Sequence, residues 1–170
     1  WDLAFGGGDL VTALATFPDA TIVFTHRDPV AVIQSTVTML GYSDRMGRDV
    51  LDMPALLAYW SDRIEGLLRR GVRDRDLVPR ERSYDSLFHE FMADTEGTLD
   101  RVYRIHGMPR TETSRAEQAA FLEAHPRGKE GRVRYDLEGQ FGTKPEVLRE
   151  RFRFSFERFA PNAARTGWAA

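Results

Sequence analysis

The sequence predicts an α/β fold, with a mainly parallel sheet flanked by helices. Two observations lead there. Strand-like and helix-like apolar periods alternate along the whole chain, with no internal repeat and no low-complexity tract. In "ATIVFTHRDPVAVIQS", residues 20–35, a short β-branched run breaks at a charged tripeptide and resumes with a helical period, as when a buried strand hands over to a helix. At 170 residues, 42% hydrophobic and 29% charged, the chain suits one sizeable core, so a single domain over 1–170 is expected.

The elements follow in order. Asp9 is placed to cap a helix carrying Leu10, Ala13, Leu14 and Phe17 on one face, stopped by Pro18. The strand comes next. Asp28 at N-cap and Pro29 at the first helical position open a second helix, striped by Val30, Ile33, Val37 and Leu40 and ending before Gly41. From Asp52 the same grammar gives a third helix with Leu56, Trp60, Ile64 and Leu67 on one face and Gly71 past its end. Residues 76–84, "DLVPRERSY", read as a second strand, edge-like or irregular because of Pro79.

Asp85 is then expected to cap a helix carrying Leu87, Phe88, Phe91 and Met92. Another follows, with Leu99, Val102 and Tyr103, closed by Gly107 and Pro109. A further helical piece spans 114–124. The stretch "HPRGKEGRVRY" clusters Arg127, Lys129, Arg132 and Arg134 with two glycines and reads as a flexible basic loop. "TKPE", Thr143 to Glu146, has the spacing of a capping box before a last helix whose Leu148, Phe152, Phe156 and Phe159 share one face. That aromatic stripe is expected in the core rather than around a ligand.

Composition excludes several functions. A net charge of −2 and a pI near 6.1 give no global pull toward nucleic acid or anionic membrane. There are no cysteines, hence no disulfide, thiol nucleophile or thiolate metal site, which fits a reducing interior. No apolar run is long enough to span a membrane, and no leader-like pattern opens the sequence. The four histidines show no metal-ligand spacing. "GGG" at residues 6–8 lacks the Lys-Ser/Thr of a phosphate loop and is followed by Asp9, so it reads as a flexible turn, with residues 1–8 expected to be poorly ordered or to pack irregularly.

In an open α/β sheet ligands bind beyond the carboxyl ends of the strands, and Arg27 stands at such an end. Its planar fork of donors matches a phosphate or carboxylate, and Ser35 lies two turns into the following helix on the face of Asp28. Either the two converge on one anion, or Arg27 pairs with Asp28 or another acid while Ser35 merely occupies the helix surface.

"FPDATIVFTHRDPVAVIQS" resembles the 3′-phosphate-binding strand, loop and helix of sulfotransferases that use 3′-phosphoadenosine 5′-phosphosulfate (PAPS), in which an arginine at the strand end and a serine eight positions later grip that phosphate. Arg27 and Ser35 have this spacing. "RSYDSLFHEFMADTEGTLDRVYRIHGMP" is similar to the family segment whose tyrosine approaches the adenine, the place held by Tyr84. "GKEGRVRYDLEGQFGTKPEVLRERF" is similar to bacterial members whose basic, glycine-containing loop returns to the same phosphate, with Lys129 and Arg132 matching in kind. The resemblance covers most of residues 10–159. It implies the P-loop-like sulfotransferase fold, PAPS as co-substrate, no metal, a cytoplasmic location and transfer of a sulfuryl group to a hydroxyl or amine of a small-molecule, sugar or lipid acceptor. It is compatible with a homo-oligomer.

The departures matter too. The family's first strand and 5′-phosphosulfate loop precede the helix near Asp9, so the chain is expected to be an N-terminally truncated form. "WDLAFGGGD" also lacks the lysine and the general-base histidine that members carry there, which leaves the catalytic residues unassigned. The rival reading is a non-catalytic fragment serving as a nucleotide-binding or dimerising module. A nucleotide kinase is disfavoured, since neither a phosphate loop nor paired magnesium carboxylates are visible.

Overall fold

A computed structural model describes residues 9–47, 50–126 and 135–159. The expectations for residues 1–8, and for Lys129 and Arg132, lie outside the described residues. Helix α1 (Asp9–Thr16) precedes strand β1 (Ile22–His26), which passes through Arg27 and Asp28 into α2 (Pro29–Asp44). The expected cap forms: Asp28 accepts a hydrogen bond from the Val30 amide at 2.8 Å, with Pro29 at the start of the helix. Asp52 does the same for α3 (Met53–Asp74) through the Ala55 amide at 2.9 Å.

Neither glycine stop operates. α2 continues through Gly41, where a Cβ would lie 2.7 Å from Met53 Cε, so the glycine permits close approach of α2 and α3. α3 continues through Gly71, which faces open space and leaves the hydrogen-bond ladder undisturbed.

The second strand begins later than expected. Arg75–Leu77 and Arg80–Arg82 form two 3₁₀ turns around Pro79, and β2 is Ser83–Leu87. Asp85 is therefore not a helix cap but the middle residue of β2. β1 and β2 pair in parallel, from Ile22 opposite Ser83 to His26 opposite Leu87, and form the two-stranded sheet seen among the described residues. α4 (Phe88–Ala93) follows without a side-chain cap, whereas α5 (Thr95–His106) is capped by Asp94 and closed by Gly107 at φ +76°. α6 (Glu112–Ala124) is capped by Thr111.

A short helix the sequence reading did not foresee, α7 (Leu137–Phe141), is capped by Asp136 and buries both its end residues. The last helix is in fact two, α8 (Pro145–Arg151) and α9 (Arg153–Phe159), joined at Phe152. Lys144 rather than Thr143 stands at the α8 N-cap, with no side-chain bond, so the capping box does not form. The aromatic stripe survives the break because Leu148, Phe152 and Phe156 remain four residues apart. They join Val30, Ile33 and Val37 of α2 and Leu57 and Ile64 of α3 in the core cluster, to which α7 adds Leu137 and Phe141. The core thus holds α2 by its buried stripe and fixes the direction in which β1 delivers Arg27.

Candidate functional site

Alternation along the strands sorts their side chains to two faces. Phe24 and His26 of β1 share a face with Asp85 of β2. There His26 Nε2–H donates to Asp85 Oδ1 at 2.7 Å, and the His26 ring stacks on Phe159 at 4.0 Å. Arg75, 5% exposed, grips the same carboxylate: Nε lies 2.9 and 3.0 Å from its two oxygens and Nη2 lies 2.6 Å from Oδ2. Arg75 also donates to Ser83 Oγ at 3.0 Å and to the Val78 carbonyl at 3.2 Å, while its guanidinium covers the Phe24 ring at 4.4 Å. Partial burial alone would raise the Asp85 carboxyl, but the hydrogen bonds from His26 and Arg75 outweigh it and hold the group well below the usual carboxylate range. The carboxylate is therefore ionised at neutral pH. This cluster was not anticipated: its members lie 59 and 10 residues apart in sequence, and the only early signal was His26 itself at the strand end.

Arg27 follows directly. Its exposed guanidinium stacks over the Phe88 ring at 4.8 Å and has no carboxylate within ion-pair distance among the described residues. Asp28, the acid that sequence reading offered as its partner, is buried, committed to the Val30 amide and faced instead by Arg149 at 3.6 Å. The first turn of α2 contains no acidic residue. A helix start with Arg27 beside it is thus electropositive apart from the cap, which suits an anion.

Ser35 stands off the buried stripe of α2, and its Oγ accepts a hydrogen bond from the Tyr135 hydroxyl at 3.4 Å. Tyr84 of β2 pairs with Val23, four positions before Arg27 and about 13 Å away along the strand. Its hydroxyl receives Arg101 Nη1 at 3.4 Å. Each predicted residue thus has its own neighbour: Arg27 lies against Phe88, Ser35 against Tyr135, and Tyr84 against Arg101. Among the described residues no hydrogen bond or ring contact joins any two of the three. Among the described residues, no group of three or more histidine or acidic side chains is arranged to hold a metal ion, and no helix is long and apolar enough to cross a membrane.

Comparison with known proteins adds the family. The model of the sulfotransferase family matches residues 8–112, more than half of the chain. The sulfotransferase STF9 from Mycobacterium avium superposes with a TM-score of 0.76 at 23% identity, over 91% of this chain and 40% of that one. The sulfotransferase STF1 from Mycobacterium tuberculosis superposes with a TM-score of 0.62 at 27% identity, over 84% of this chain and 36% of that one. The chain therefore spans well under half the length of these solved enzymes. No curated protein matches it. The parallel strand pair, the strand–arginine–helix junction and the family match together identify the chain as a member of the sulfotransferase family.

Proposed function

We propose that this chain supplies the nucleotide-gripping side of a PAPS-dependent sulfotransferase site. Arg27 and Ser35 bind the 3′-phosphate, Tyr84 lies beside the adenine, and Lys129 and Arg132 add cationic donors to the same phosphate. When bound, the co-substrate carries the sulfuryl group that passes to a hydroxyl or amine of a small-molecule, sugar or lipid acceptor. The protein's own part is to hold the nucleotide by charge and hydrogen bonds, within a single domain and in the cytoplasm.

The observation that carries this reading is the state of Arg27. An exposed guanidinium at the carboxyl end of a parallel strand, without an acidic partner among the described residues, retains its donors for a ligand. Stacking on Phe88 orients the plane without using those donors. A phosphate is the ligand that such a fork fits in two parallel bonds.

The test is the preference for adenosine 3′,5′-bisphosphate over AMP, which lacks the 3′-phosphate, measured by calorimetry. Arg27→Ala should cost roughly 2 to 4 kcal/mol of bisphosphate binding, and Arg27→Lys should restore only part of it because a point charge does not reproduce the fork. Ser35→Ala should cost about 1 kcal/mol. Equal affinity for the two nucleotides, or a preference unchanged by Arg27→Ala, would refute the reading.

A further inference from the structure

We propose that Tyr135 is a positioning residue of this anion site, orienting the Ser35 hydroxyl so that its proton points to the bound phosphate. The inference rests on the phosphate reading above and extends it to a residue outside the predicted set.

A serine hydroxyl has one proton to donate and two lone pairs to accept with. On a helix that proton commonly goes to the carbonyl four residues back. Among the described residues three hydroxyls do so: Thr16 Oγ1 donates to the Thr12 carbonyl at 2.8 Å, Ser43 Oγ to the Met39 carbonyl at 3.1 Å and Thr95 Oγ1 to the Phe91 carbonyl at 2.9 Å. Ser35 behaves differently. Its oxygen accepts from Tyr135 at 3.4 Å, and its own proton has no acceptor among the described residues. A tyrosine proton held on one lone pair fixes the rotation of the serine hydroxyl and makes it a better donor through polarisation.

Both partners are held by the core. Ser35 lies between Ile33 and Val37, each 0% exposed, so its backbone cannot swing. Tyr135 precedes Asp136, which caps α7 by accepting from the Gly139 amide at 2.8 Å, while Leu137 and Phe141 anchor that helix in the core cluster. Two fixed frames therefore bring together hydroxyls that stand 100 positions apart in the sequence. Tyr135 is 41% exposed, so little packing depends on its hydroxyl.

The experiment measures binding of adenosine 3′,5′-bisphosphate and of AMP to the wild type, Tyr135→Phe, Ser35→Ala and the double variant. Tyr135→Phe should reduce the preference for the bisphosphate roughly two- to five-fold and leave AMP affinity unchanged, the scale of one neutral hydrogen bond. The double variant should match Ser35→Ala alone, because the tyrosine acts only through the serine. An unchanged preference in Tyr135→Phe, with the wild type still discriminating, would overturn the role of Tyr135 and leave the phosphate reading intact. Losses that add in the double variant would likewise overturn it, since Tyr135 would then act on its own. A wild type with no preference at all would refute the phosphate reading, and the positioning role with it.

Discussion

Replacing Asp85 with asparagine should destabilise the protein by about 2 to 3 kcal/mol. The carboxylate faces two donors at once, His26 Nε2 at 2.7 Å and the Arg75 guanidinium at 2.6 to 3.0 Å. An asparagine offers one acceptor oxygen and turns an N–H₂ toward one of these donors. It also leaves the Arg75 charge, on a side chain only 6% exposed, without a counter-ion. Breaking a fully buried pair costs about 3 to 5 kcal/mol. Asp85 is 38% exposed, so water screens part of the loss and the lower figure applies. The melting temperature should fall by about 4 to 12 °C. The pH dependence has a definite sign. The folded state holds this carboxyl below its ordinary value, so its contribution is complete above the unfolded value of about 4 and is lost as pH falls through the folded one. Urea unfolding of both proteins between pH 5 and 3 should show the gap narrowing below about pH 4. Adding Arg75→Met to Asp85→Asn should recover part of the loss, because the stranded charge goes with it. A gap under about 0.5 kcal/mol at pH 7, a gap that widens below pH 4, or strictly additive single losses would refute the account.

Two further outcomes follow from the packing. Phe152→Ala empties a site that is 0% exposed at the α8–α9 junction and should cost about 3 to 5 kcal/mol in urea unfolding, with the far-ultraviolet spectrum nearly unchanged. Arg110, with a side chain 2% exposed, ties α6 to α5 through Glu96, Asp100 and Gln118. Since α6 buries none of its own residues, Arg110→Met should remove hydrogen-exchange protection from α6 while that of α2 and α3 persists.

What could be read in the sequence was what short-range chemistry decides. Asp28 with Pro29, and Asp52, are caps because the bond each makes lies two or three residues away, and both were legible. So was β1, a β-branched run ending at a charged residue. Asp85 misled because an aspartate ahead of an apolar period looks the same whether it caps a helix or faces a partner strand. What decides is His26, 59 residues away, and no local period carries that information. Arg75 was invisible for a related reason: it stands among Arg69, Arg70, Arg73 and Arg80, and only the fold selects the one that is buried. α7 was missed because five residues give too little periodicity, although its aspartate cap and trailing Gly142 at φ +66° were present as signals. At the site, spacing put Arg27 at the strand end and Ser35 on the next helix. Their neighbours Phe88 and Tyr135 come from β2–α4 and from the approach to α7, and so were not legible.

His26 and Arg27 are consecutive, and their opposite environments explain why a partly buried polar cluster sits beside an exposed cation. Five residue pairs hold β1 to β2, which is little backbone bonding for a parallel pair. Apolar contacts alone would fix its register weakly, since Ile22, Val23 and Phe24 are interchangeable in hydrophobicity when the strand slides by one residue. Such a slip would exchange the two faces, burying Thr25 and turning His26 outward. The His26–Asp85–Arg75 contacts are directional and have one solution, so they penalise the slip where hydrophobic packing hardly does. Register in turn decides which residue ends the strand and where the following guanidinium emerges. The cluster on one face thus determines the geometry available to a ligand on the other, with a single peptide unit as the link.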